Sequence, residues 1–256
     1  MFKTPEDSHQ HSLVALRMLD DFVEFKRSIG SVLDLGCGSG TDLAYIANFT
    51  DSDDDNPRPL NIPCTGLDIK LTSDAKAYET KIKHYSLVEH DFNSSELLPK
   101  FPKKFDVVWC HDVLQYSHSV INLLGAVNRS MNKNGMLYLS VPNTVSVNYG
   151  RFQNYTFSQQ FQTFTVTQLI YLLAINGFDC NDFYLKKVKH DDCIEVITYK
   201  NSEPYSYTST WYDLMDKKCF NDSANAIIEK HGFLTDQGLL TKWIDGVVFD
   251  YRFHSR

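Results

Sequence analysis

The chain has 256 residues, 43% of them hydrophobic, and a formal net charge of −7. That is enough for one full α/β domain with a substantial core plus an appendage, and too little for two equal domains. The acidic balance argues against a protein that grips nucleic acid mainly by neutralising phosphates, which takes Lys and Arg.

Six cysteines stand at 37, 64, 110, 180, 193 and 219 with no C-x-x-C pair. They suggest reduced thiols and neither a zinc site nor a disulfide framework. Met1 to Asp7 has neither the basic start nor the apolar core of a signal peptide, and no later run is long enough for a membrane span. A soluble, cytoplasmic protein without a membrane partner is expected. Thr4, Pro5, Glu6 and Asp7 form a helix start, with a capping hydroxyl, Pro at the first position and acids in the first turn. Leu13, Leu16, Leu19, Phe22 and Val23 continue it at helical spacing to about Arg27, ending near Gly30.

Val32, Leu33 and Leu35 make the short apolar run of a strand covered on both faces, interrupted by Asp34 and broken by Gly36, Cys37, Gly38, Ser39 and Gly40. Three glycines remove side chains from one rim of the turn, so a ligand can lie against the backbone. Leu43, Ala44, Ile46 and Ala47 then open a helix whose N-H groups point at that ligand. A dinucleotide fingerprint needs G-x-G-x-x-G, but the residue three after Gly38 is Thr41, and the spacing is G-x-G-x-G. The acids and prolines from Asp51 to Pro59 read as a solvated loop, without the glycine that a calcium loop requires.

Cys64 to Ile69 is a second strand ending in Asp68, one βαβ unit after the first turn. A carboxylate there can accept both hydroxyls of a ribose, or merely cap the following turn. His84 to Phe92 is a third, weaker strand ending in Asp91 and Phe92. Phe105 to Cys110 is a fourth, with Asp106 structural near its start and Cys110 and His111 emerging at its carboxyl end, where ligands of open α/β sheets bind. His118 should be exposed. Asn134 and Gly135 can take the positive backbone angles of a turn before a fifth strand that ends at Pro142.

From Tyr149 to Phe164, aromatics crowd a polar segment and read either as a substrate lid or as a satellite cluster. Thr165 to Gln168 is a capping box for a helix that stops at Asn176-Gly177. Phe178 onward and Cys193 to Tyr199 supply two last, antiparallel strands. Beyond 200, Glu203 to Tyr207 reads as a linker, Trp211 to Cys219 and Ala224 to His231 as helices, and Val247 to Tyr251 as a strand.

The run D-L-G-C-G-S-G, the strand ending in Asp68, the stretch F-D-V-V-W-C-H-D-V-L and the later S-V-P-N resemble the motifs of class I S-adenosylmethionine-dependent methyltransferases, of the small-molecule types 11 and 23. The resemblance covers about residues 30 to 200. It implies a Rossmann-like α/β fold: a seven-stranded sheet, mostly parallel with an antiparallel C-terminal hairpin, and helices on both faces. Residues 1–30 would be an N-terminal helix capping the core, either simply packing on the sheet or bringing His9 or His11 over the cofactor; 31–200 would be the methyltransferase domain and 201–256 a helical, aromatic extension.

The cofactor implied is S-adenosylmethionine, with S-adenosylhomocysteine as product and no metal. It would be held by Asp34, Gly36, Cys37, Gly38, Gly40, Asp68 on the ribose, Ile69 against the adenine face, Asp91 on the adenine amino group, Phe92 on the ring, and Cys110 and His111 at the methionine end. His111 is the ionisable group expected beside the transferring methyl. A small-molecule oxygen or nitrogen acceptor is expected. A nucleic-acid methyltransferase would show a Pro-Pro motif or a Pro-Cys nucleophile after the fourth strand, and the sequence has neither. A protein acceptor and an inactive, cofactor-binding scaffold are the alternatives. The extension would cover the substrate mouth or form a homodimer contact. The chain is also similar to orphan methyltransferases carried by tailed phages, which would place it in the host cytoplasm.

Overall fold

A computed structural model describes residues 29–51, 58–142, 162, 164–181, 184–188, 193–222 and 250–252. The N-terminal helix with His9 and His11, the tip of the acidic loop, the aromatics from Tyr149 to Phe161 and the helix at Ala224 to His231 lie outside these residues. The chain divides into two compact units, residues 1–111 and 112–256.

In the first unit, β1 (Val32–Leu35) is buried along its whole length. It pairs in parallel with β4 (Cys64–Asp68) on one side and β6 (Phe105–His111) on the other, and β5 (Tyr85–Glu89) extends the sheet beyond β4. Helix α1 (Thr41–Ala47) follows β1, burying Leu43, Ala44, Ile46 and Ala47, and α2 (Ser73–Lys81) follows β4. Chain order reverses at β1: the first crossover goes to β4 and a later one returns to β6. The carboxyl ends of β1, β4 and β6 therefore flank a crevice at the switch point, the usual place for a ligand in an open α/β sheet. Asp106 behaves as the structural acid expected, accepting from Gly30 N-H at 2.8 Å. The acidic segment differs from the sequence reading at its ends. Thr50–Asp51 (β2) and Arg58–Pro59 (β3) form a small antiparallel ribbon, with Pro59 on an edge where no N-H is required.

The second unit opens with a 3₁₀ turn, Leu114–Tyr116, and helix α3 (Val120–Ser130), whose Leu123, Leu124 and Val127 are buried. Strand β7 (Met131–Pro142) starts before the Asn134-Gly135 turn rather than after it. Asn134 still takes the positive φ of 60° that the sequence suggested. Helix α4 (Val166–Ile175) is capped as expected, the Thr165 hydroxyl accepting from Gln168 N-H at 3.2 Å. It ends at Gly177 with φ 78°, where a side chain would collide with the Ser202 carbonyl.

Strands β8 (Tyr184–Val188) and β9 (Cys193–Tyr199) form the expected antiparallel pair, and β9 also runs antiparallel to β7. Strands β1 and β4 to β9 account for the seven expected. β10 (Asp250–Arg252), near the strand anticipated from Val247, adds one more against β8. The fold is Rossmann-like α/β, parallel through β6 and closed by the antiparallel C-terminal pair.

The segment read as a linker, Glu203 to Tyr207, is exposed at Tyr207 but tied down at Tyr205 and just before its start. Asn128 donates to Ser202 O at 3.0 Å and Tyr205 N-H to Ile175 O at 2.8 Å. Helix α5 (Trp211–Asp216) carries a capping box between Thr210 and Asp213, and Trp211 stacks on Phe220. Among the described residues, no helix is long and apolar enough to cross a membrane.

Candidate functional site

The glycine-rich turn leaves β1 with positive φ at Gly36 (77°), Gly38 (51°) and Gly40 (74°), angles that side chains resist. Its first step is tied to β4, since Gly36 and Cys37 both donate to Leu67 O, at 2.7 and 3.0 Å. The Gly38 peptide is held from both sides. Its N-H donates to Asp68 Oδ2 at 2.9 Å, and its carbonyl accepts from the Thr72 hydroxyl at 3.1 Å. Thr72 also caps α2, accepting from Ala75 N-H at 3.2 Å, so the helix start and the turn are one hydrogen-bonded unit.

Gly38 and Gly40 serve different ends. A Cβ on Gly40 would strike the Tyr85 hydroxyl and crowd Ala75, whereas a Cβ on Gly38 would meet nothing within 4 Å. The third glycine packs the turn against α2 and β5, and the second faces open space.

Asp68 performs the bland one of its two expected roles and keeps capacity for the other. Its Oδ1 accepts from Lys70 N-H at 3.2 Å while Oδ2 holds Gly38, and each carboxylate oxygen has a second lone pair. Ile69, beside it, is 61% exposed, the apolar surface an adenine ring would cover. At the end of the next strand Asp91 is exposed and accepts from Asn93 N-H at 2.8 Å, while Phe92 is largely buried and presents little of its ring.

At the carboxyl end of β1, Asp34 is 3% exposed. Burial pushes its carboxyl well above the usual carboxylate range, and the nearby charges of Asp42 and Asp68 add to the rise against an opposing pull from His111. Burial also pushes the Cys37 and Cys64 thiols and the Tyr85 phenol upward, with Asp34 reinforcing it in each case. At neutral pH these groups stay protonated, so neither thiol is a nucleophile. Cys110 is buried in β6.

His111 ends β6 with its Nδ1 3.3 Å from Asp42 Oδ2, and Trp109 Nε1 donates to the same oxygen at 3.1 Å. Asp42 and Thr72 are the site residues the sequence reading missed. Asp42 had one signal, an acid in the first helical turn two residues after Gly40; the bond from Thr72 to Gly38, 34 positions away, had none. His118, in the second unit, is exposed as expected, and Asp112, directly after His111 in the chain, has a φ of 53°. No group of three His, Cys, Asp or Glu side chains among the described residues is placed to hold a metal ion.

This geometry fits S-adenosylmethionine. The open backbone at Gly38, the second lone pairs on Asp68 and the exposed Ile69 suit a ligand with a ribose and a flat base. Solved methyltransferase structures share the fold. A 1,6-didemethyltoxoflavin-N1-methyltransferase of Burkholderia thailandensis, solved with S-adenosylhomocysteine, matches with a TM-score of 0.57 at 15% identity, over 75% of this chain and 79% of that one. The N-methyltransferase NodS of Bradyrhizobium japonicum matches at 0.53 and 12% identity, over 77% and 90%. The plantazolicin methyltransferase BpumL matches at 0.59 and 14% identity, over 77% and 87%.

In sequence, the chain is similar to a tRNA U34 carboxymethyltransferase of Campylobacter jejuni, 25% identical over 133 residues, which is 52% of this chain and 42% of that protein. The match thus spans less than half of that relative. A family model described as a methyltransferase domain matches residues 8–181, more than half of the chain, and the protein belongs to this family of S-adenosylmethionine-dependent class I methyltransferases.

Proposed function

We propose that the protein transfers a methyl group to an oxygen or nitrogen atom of a small molecule, with His111 as the base beside the acceptor. The observation that carries this reading is the placement of an imidazole, paired with Asp42 at 3.3 Å, at the end of β6. When bound, S-adenosylmethionine supplies a sulfonium-activated methyl carbon, so alignment accounts for most of the acceleration and little else is asked of the protein.

In this reading Gly36, Cys37, Gly38 and Gly40 line the cofactor's backbone rim, Asp68 receives the ribose, Ile69 and Phe92 flank the adenine, and Asp91 meets its amino group. Asp34, Cys110 and the backbone of His111 hold the methionine end. His111 accepts a proton only if the acceptor must lose one. His111→Ala should then lower turnover by roughly a hundredfold while sparing affinity for S-adenosylhomocysteine.

A second reading, methyl transfer to RNA, draws on the likeness to a tRNA-modifying protein. The net charge of −7 speaks against a phosphate-gripping surface. Transfer of isotope-labelled methyl from S-adenosylmethionine into small-molecule, protein and RNA fractions of a lysate tests the choice. Label confined to small molecules supports the proposal, and label in RNA or protein replaces it. Binding of S-adenosylhomocysteine with no label in any fraction would leave a cofactor-binding scaffold.

A further inference from the structure

We infer that Thr72 is a positioning residue for the cofactor turn: its hydroxyl fixes the plane of the Gly38–Ser39 peptide and so sets the affinity for S-adenosylmethionine without touching it. This rests on the proposed placement of the cofactor against Gly38, but it concerns a residue to which that placement gives no part.

A Cβ on Gly38 would meet nothing within 4 Å, so no packing on that side holds the most permissive kind of backbone. The flanking glycines are anchored by other means. Gly36 N-H donates to Leu67 O at 2.7 Å, and the Gly40 carbonyl accepts from Ala44 N-H at 2.9 Å as α1 begins. The Gly38 carbonyl has one partner among the described residues, the Thr72 hydroxyl at 3.1 Å. A trans peptide is planar, so a carbonyl drawn toward Thr72 turns the Ser39 N-H the opposite way. With Gly38 N-H on Asp68 Oδ2 at 2.9 Å, the residue is held through both of its peptides.

The ordinary use of Thr72 is to cap α2, and a cap needs only an oxygen that accepts, here from Ala75 N-H at 3.2 Å. A hydroxyl has two lone pairs and one proton, and capping leaves the proton uncommitted. In this chain it goes to a residue 34 positions earlier. The segment that carries Thr72 is itself fixed, since Lys70 N-H donates to Asp68 Oδ1 at 3.2 Å and Leu71 N-H to Glu89 Oε2 at 3.4 Å. Donor and turn are thus in place before any ligand arrives. A glycine peptide left loose until binding would weaken affinity roughly tenfold, the scale of ordering one backbone residue.

Substitutions separate the two uses. Aspartate caps a helix as well as threonine does, but its carboxylate cannot donate; glycine offers no hydroxyl, carries no charge and weakens a cap only slightly. Thr72→Ser should bind S-adenosylhomocysteine within about threefold of wild type by calorimetry. Thr72→Asp and Thr72→Gly should each bind it about tenfold more weakly, with thermal midpoints of the ligand-free proteins close to wild type. Nitrogen-15 order parameters of Gly38 and Ser39 in the ligand-free full chain should fall in both.

Support requires both variants to weaken. A loss in Thr72→Asp alone is the work of its charge, a loss in Thr72→Gly alone that of a loosened segment, and affinity kept in both leaves Thr72 a helix cap; each outcome overturns the inference. Order parameters showing Gly38 and Ser39 already loose in the ligand-free wild type overturn it without recourse to any variant. Gly38→Val tests the underlying placement separately. Normal S-adenosylhomocysteine binding by that variant takes the cofactor away from Gly38, whereas lost binding there with unchanged affinity in the Thr72 variants removes the role of Thr72 alone.

Discussion

Within the glycine-rich turn, neighbouring residues of one type answer to different constraints, and substitutions separate them. Gly38 faces open space at φ 51° and Gly40 faces Tyr85 and Ala75. Gly38→Val should abolish S-adenosylhomocysteine binding in a protein that still folds, whereas Gly40→Ala should lower the thermal midpoint whether or not ligand is present. Normal binding by a folded Gly38→Val protein would mean that the turn is purely structural. Asp68 lies between the two cases, holding Gly38 N-H at 2.9 Å while standing at the carboxyl end of β4. Asp68→Ala should weaken S-adenosylhomocysteine binding by about 1.5 to 3 kcal/mol, the scale of hydrogen bonds to a charged group. Unchanged affinity in calorimetry would take Asp68 out of the cofactor site.

At the scale of elements, the parts legible in the sequence were those whose cause is local. The β1 run, the glycine turn, the cap at Thr165 and the stop at Asn176-Gly177 each rest on residues within a few positions of one another. Thr165→Ala should accordingly cost about 1 kcal/mol, the usual worth of a helix N-cap, read as a lower urea midpoint with an unchanged slope. What escaped depends on partners distant in sequence. Thr50–Asp51 became a strand only because Arg58–Pro59 lies opposite, and β7 extends before Asn134, with Asn134 N-H donating to Lys200 O at 3.1 Å. Asp42 looked like any acid in a first helical turn. Its meaning came from Trp109 and His111, 67 and 69 positions away.

For the molecule as a whole, the crevice gathers carboxyl groups in a chain already at −7, and this has a consequence for stability. Asp34 is held well above the carboxylate range by burial first and by the charges of Asp42 and Asp68 next. In the unfolded chain it titrates near 3.9, as an ordinary Asp does. Between that value and its higher folded one, the folded protein binds more protons than the unfolded one, so stability falls as pH rises.

The favourable contribution of Asp34 is thus complete below about pH 4 and is lost as pH climbs through the folded-state value. Asp34→Asn, which keeps the shape without the ionisation, should flatten this part of the profile. Urea midpoints of the ligand-free protein at pH 5 and pH 8 should show the variant gaining on wild type at the higher pH. A difference between the two proteins that does not change with pH would mean that Asp34 ionises as readily folded as unfolded, and that the crevice does not store charge repulsion for a cationic ligand to relieve.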